Sequence, residues 1–141
     1  MIPSIVIDTN VLVAALKSRL GASFKLLMAL PSASYNPCLS VPLFVGYESV
    51  LKRPELLPHL STDEIDAVLN YVLSRASIHE IFFLWRPFLK DPKDDLVLEA
   101  AVASQSQYLV TFNLRDFADV EKQFGIKVVT PQEFLHEQRL I

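Results

Sequence analysis

Residues Ser4 to Ile7 form a short apolar run, three of its four positions β-branched, that stops at Asp8 and gives way to a helical pattern. Such a run is too short for a helix, so it reads as a buried strand. The unbroken helical stretch at 11–18 follows within a few residues, which opens an α/β unit. The alternation then recurs along the chain. After an interruption at Gly21, Phe24, Leu26, Leu27 and Leu30 continue a second helical stretch up to Pro31. Residues 35–39 predict a second strand, and Ser40 with Pro42 marks a helix start, since proline is tolerated in a first turn. That helix runs through Phe44, Val45, Tyr47, Glu48 and Leu51 to Pro54. Ser61 followed by Glu64 has capping-box spacing, and Ile65, Val68, Leu69, Val72 and Leu73 make one apolar face behind it. A third strand is expected at 78–84, a polar acidic loop at 91–95 and a helix at 96–104. A fourth strand at 108–111 ends at Phe112-Asn113, and a fifth occupies 126–129. Thr130 and Glu133 form a second capping box opening the last helix.

Helices alternating with short buried strands predict a three-layer α/β/α sandwich around a central, mainly parallel sheet of about five strands with right-handed crossovers. No linker, internal repeat or low-complexity segment interrupts residues 1–141, so one domain is expected. Hydrophobic residues are 51% and charged residues 21% of the chain, a globular balance rather than a disordered one. The net charge of −3 supplies no global positive field for a polyanion. This weighs less against a metal-dependent nuclease, because bound divalent cations reverse the sign of an acidic site. Cys38 is the only cysteine, which excludes an intrachain disulfide and a thiolate zinc site. It reads as a small apolar filler. Without a basic leader or a run long enough to span a bilayer, a cytoplasmic protein with no membrane association is expected.

In open α/β sheets, ligands bind beyond the carboxyl ends of the strands. Asp8-Thr9-Asn10 stands there after the first strand, Asp94-Asp95 at the start of a later helix, and Thr111, Asn113 and Asp116 after the fourth strand. Three junctions thus deliver acids and small polar groups to one edge, with no basic residue at the first to neutralise them. Converging carboxylates repel and raise one another's pKa unless a cation sits among them. Oxygen donors of this kind suit Mg²⁺ or Mn²⁺. Each residue has a plainer alternative. Asp8 could be a helix N-cap, Asp94 or Asp95 could cap the following helix, and Asp116 could be a solvated turn residue. Glu48, on its helix, reads as a surface charge. A haloacid-dehalogenase-type phosphatase would need a second Asp at the position of Asn10. A receiver domain would need a phosphoacceptor Asp where Leu84-Trp85 stands.

Asp8-Thr9-Asn10 after an apolar strand, an isolated Glu48 on a mid-chain helix, Asp94-Asp95 ahead of Ala100-Ala101, and the run from Leu109 through Thr111, Asn113 and Asp116 to Phe117 together resemble a PIN domain. The match is ordered and spans nearly the whole chain. It is most similar to bacterial and archaeal members assigned as toxins of toxin–antitoxin systems (VapC-like). The resemblance implies a Mg²⁺- or Mn²⁺-dependent endoribonuclease using one or two ions. It implies Asp8, Glu48 and Asp95 as principal ligands, with Asp94 the rival of Asp95, and Asp116 holding a second ion or a water. Where many members carry Asp, this chain has Asn113. Thr9, Asn10, Thr111 and Asn113 would orient ligands or waters, and Lys52, Arg53 and Arg115 could touch RNA phosphates. An antitoxin partner and a homodimer are implied too, with residues 20–30 and 42–51 as contact surfaces. A non-catalytic interaction module and a DNA-directed nuclease are the alternatives.

Overall fold

Strand β1 (Ser4–Ile7) lies at the centre of the sheet, as its buried, β-branched sequence requires. The computed structural model describes residues 2–30 and 35–140; the expected helix end at Pro31 lies outside them. Among these residues α1 (Thr9–Lys17) and α2 (Ala22–Met28) follow β1, and β2 (Asn36–Leu39) leads into α3 (Val41–Leu51) and α4 (Thr62–Arg75). Then come β3 (Ser77–Ile78), α5 (Pro92–Ala103), β4 (Tyr108–Val110), α6 (Ala118–Phe124), β5 (Lys127–Val129) and α7 (Pro131–Glu137). The five strands run in the order β3-β2-β1-β4-β5, all pairings parallel. The architecture is the α/β sandwich that the alternation predicts. None of the described helices is long and apolar enough to cross a membrane.

Local chemistry sets the helix starts. Ser40 accepts a hydrogen bond from the Leu43 amide at 3.1 Å, with Pro42 in the first turn. The two capping boxes, Ser61 with Glu64 and Thr130 with Glu133, both close in each direction. Gly125 ends α6 with a left-handed φ of 69°, a conformation that costs glycine little. The core is continuous across the sheet, from Ile5, Val6, Leu109 and Val110 to Tyr47, Leu98, Phe117 and Phe134.

Two expectations need correction. The third strand is only Ser77–Ile78, paired with Cys38 and Leu39, where a strand over 78–84 is expected. Beyond it the chain leaves the sheet after the His79 amide bonds the Leu39 carbonyl at 2.8 Å, and carboxylates of α5 hold it further on. Glu99 Oε2 accepts the Trp85 amide at 3.0 Å and Asp95 Oδ1 accepts the Leu89 amide at 2.9 Å. Trp85 and Phe88 pack edge-on against Phe124, anchoring the same segment. The second correction concerns the cap of α5. Asp91 fills that position, accepting from the Lys93 amide at 2.9 Å, with Pro92 following it. Asp94 and Asp95 lie inside the first turn, so neither caps the helix, and the helix begins well before residue 96.

Candidate functional site

β1 and β4 are neighbours, with Ile5, Val6 and Ile7 in register with Tyr108, Leu109 and Val110. The connection from β1 goes to one side of the sheet and that from β4 to the other, so their carboxyl ends form the switch point where α/β sheets open a crevice. Asp8 and Thr111 are the next residues on the two strands. The Asp8 amide still reaches Val110 and the Thr111 amide reaches Val129, each at 2.9 Å. Register alone therefore sets the two side chains beside each other. The Thr111 hydroxyl donates to Asp8 Oδ2 at 2.7 Å and accepts from the Asn113 amide at 2.9 Å.

Asp8 occupies the N-cap position of α1, yet its side chain makes no capping hydrogen bond. The cap alternative therefore does not account for it. It is buried, and burial pushes its carboxyl above the usual range; Asp116 and Asp91 add repulsion, while the Thr111 hydroxyl and the Thr9 amide favour the charged form. Asp94 is pushed up to about 7, first by burial and then by repulsion from Asp8, Asp91, Asp116 and Asp95. Asp8, Asp91, Asp94 and Asp116 thus share one acidic field assembled from three junctions. Tyr47, buried on α3, donates its hydroxyl to the carbonyl of Ile7 and pins the strand end that carries Asp8.

The other expected residues separate into distinct surroundings. Asp95 is 1% exposed and its Oδ1 holds the Leu89 amide, turned toward the segment that follows β3. Glu48 carries an ion pair with Lys52 Nζ at 3.0 Å, and the same ammonium reaches Asp66 of α4 at 2.6 Å. Glu48 and Lys52 therefore belong to the α3–α4 seam. The α3 residue that faces α5 is Gly46, where an added Cβ would meet Leu96 Cδ1 at 3.7 Å. Thr9 and Asn10 begin α1, and Asn10 Oδ1 is buried without a hydrogen-bond partner. Asn113, Arg115 and Asp116 are exposed in the turn after β4, while Arg53 is exposed beyond α3. The sequence did not single out Asp91, Glu99 or Arg86. Asp91 had a usable signal, since Asp directly before Pro is a helix-start pair. Glu99 is 2% exposed, held by Arg86 through Oε1 at 2.6 Å and Oε2 at 3.0 Å. Nothing in its neighbours along the chain announces that.

The donor set fits a hard divalent cation in its chemistry. It consists of carboxylate oxygens under mutual repulsion, with the unpartnered Asn10 oxygen two residues from Asp8. Among the described residues, no three His, Cys, Asp or Glu side chains already converge into a ligand shell. The field is in place ahead of the coordination geometry.

A parallel α/β sheet with acids gathered at its switch point defines the class of folds that bind ligands beyond the strand ends. Residues 4–115 match the family model described as "PIN domain", most of the chain, and the chain belongs to that family. Its fold is also similar to a crystal structure of VapBC2 from Rickettsia felis bound to a DNA fragment from the promoter, with a TM-score of 0.58 and 17% identity. That likeness covers 89% of this chain and 96% of the other. Among curated proteins none matches the chain in sequence.

Proposed function

We propose that this PIN domain is a Mg²⁺- or Mn²⁺-dependent endoribonuclease. The observation that carries the reading is the shared acidic field of Asp8, Asp94 and Asp116 at the switch point, with the Asp94 carboxyl pushed up to about 7. Acids held close together without a cation are costly for the fold, and a divalent ion relieves that cost. Asp8 and Asp94 would hold the ion, with Asp116 at the solvent edge for a second ion or a water. When bound, such an ion polarises a phosphodiester and makes a water acidic enough to attack it in line. Thr111 fixes the Asp8 carboxylate through its hydroxyl, and Thr9, Asn10 and Asn113 stand where they can orient waters. Asp95 serves by holding the Leu89 amide, which fixes the start of α5 on which Asp94 rides. Arg53 and Arg115 are exposed and would contact phosphates; Lys52 is engaged by Glu48 and Asp66.

The likeness to VapBC2 is in keeping with a toxin role and an antitoxin partner, and we place its action in the cytoplasm as part of the same reading. Val41 and Val45 of α3 are 65% and 53% exposed, and Leu20 is 92% exposed, which supports these segments as contact surfaces for an antitoxin or a second copy. The ion pair on Glu48 favours one second reading, a non-catalytic module, because it removes an acid from the site. A mixed RNA pool incubated with and without Mn²⁺ separates the two. Wild type should cleave only with Mn²⁺ and Asp8→Asn should not cleave, while both give the same circular dichroism. Equal cleavage by the variant would sink the assignment, and no cleavage by wild type would favour the module.

A further inference from the structure

A cavity of about 290 Å³ lies between α3 and α5, lined among others by Thr9, Gly46, Val50, Arg53, Lys93 and Leu96. Thr9 follows Asp8 and Lys93 precedes Asp94, so two of the lining residues adjoin those carboxylates along the chain. It exists because α3 carries no side chain at Gly46, where only Leu96 Cδ1 lies within 4 Å of a virtual Cβ. Its lining is mainly apolar, yet Arg53 and Lys93 stand at its rim, and among the described residues neither has a carboxylate within ion-pair distance. In a chain of net charge −3, two free cations beside an acid cluster complement a polyanion that must reach that cluster.

We propose that this cavity is a nucleotide subsite for single-stranded RNA: Arg53 and Lys93 each take a backbone phosphate, and Val50 and Leu96 take the apolar face of a base or sugar. The inference rests on the ribonuclease reading for its choice of polymer, and the hydroxyls of Thr9 and Ser49 on the lining favour RNA because they can meet a 2′-hydroxyl. A strand whose scissile phosphate lies at Asp8 and Asp94 reaches the cavity with an adjoining nucleotide. The cations act here by positioning the chain and take no part in the reaction.

The test is fluorescence anisotropy of a labelled ten-nucleotide mixed-sequence RNA in EDTA, where binding is read without cleavage. The Arg53→Ala/Lys93→Ala double variant should bind roughly tenfold more weakly. Its slope of log affinity against log salt should fall by about 1.4, which is about 0.7 for each phosphate no longer neutralised. Gly46→Leu should fill the cavity and weaken binding with the slope kept, while Lys17→Ala, at the far end of α1, should bind as wild type. Thermal melts confirm folding; should Gly46→Leu not fold, the two exposed cations carry the test alone. Double-variant binding within about twofold of wild type at an unchanged slope overturns the subsite. So does absence of RNA binding by wild type, equal affinity for DNA of the same sequence, or equal displacement of RNA by polyglutamate. Weakened binding in the double variant without Mn²⁺-dependent cleavage by wild type upholds the subsite and fails the nuclease reading. Cleavage with binding untouched does the reverse.

Discussion

Replacing Asp94 with Asn should stabilise the metal-free protein at alkaline pH, although it removes a residue assigned to the site. In the folded chain the Asp94 carboxyl is pushed up to about 7 from an ordinary 3.8. The folded state therefore keeps a proton that the unfolded chain releases between those values. Stability from this group is full below about pH 3.8 and is lost as pH rises through about 7. At face value the difference corresponds to about 4 kcal/mol, at 1.36 kcal/mol for each pH unit. Asp94 is only partly buried, and solvent screening reduces the usable figure to roughly 2 kcal/mol. For a chain of this length that is about 6–8 °C in Tm. Melting followed by circular dichroism in EDTA should show the variant and wild type coinciding near pH 4, and the variant melting higher at pH 8. Mn²⁺ at pH 8 should raise the wild-type Tm and leave the variant nearly unmoved. A gap independent of pH, or a variant less stable at pH 8, would refute the claim that Asp94 sits in a repulsive field.

The neighbouring acid should behave oppositely. Asp95→Ala leaves the buried Leu89 amide unpaired and should cost about 1–3 kcal/mol in a denaturant titration at pH 8; no loss would show that Asp95 does not hold that segment. Arg86→Ala strands the buried carboxylate of Glu99 and should lower the denaturation midpoint, and adding Glu99→Leu should recover part of the loss. A double variant no more stable than Arg86→Ala would contradict that account. Gly46→Glu places a carboxylate on the α5-facing side of α3, beside Lys93 and the acids, and should tighten Mn²⁺ binding measured by calorimetry by about tenfold, on the order of 1.4 kcal/mol. Unchanged or weaker binding would mean that this face of α3 does not look onto the metal site.

What was legible in the sequence is what local chemistry decides. Ser61 with Glu64, and Thr130 with Glu133, announce helix starts because both partners lie within one turn. The runs that became β1, β2, β4 and β5 show themselves as short apolar stretches between helical patterns, to within about a residue at each end. Residues 79–84 have the same apolar, aromatic character and yet leave the sheet. Just past them Glu99 and Asp95 hold the amides of Trp85 and Leu89 from a helix not yet begun at that point of the chain. No window along the sequence contains those contacts.

The site was legible as a set of junctions and illegible as a set of faces. Strand order brings Asp8 and Thr111 together whatever their neighbours, so these two follow from topology. A residue on a helix joins the site only if its face points there, and the two helices that matter give little directional signal. Helix α5 buries Asp95, Val97, Leu98, Glu99, Ala100 and Ala101, most of its circumference, so no apolar stripe tells which of Asp94 and Asp95 turns toward Asp8. Spacing offers one clue: Asp95 and Glu99 are four apart, share a side, and both serve the segment after β3, which leaves Asp94 for the acids. On α3, Glu48 and Gly46 are two apart and therefore point in nearly opposite directions. The ion pair takes Glu48 toward α4, and Gly46, whose open side meets Leu96 of α5, holds no side chain at all. The missing acid and the open cavity are thus one structural fact. On the proposed reading, a single glycine would set metal affinity against substrate room at this site.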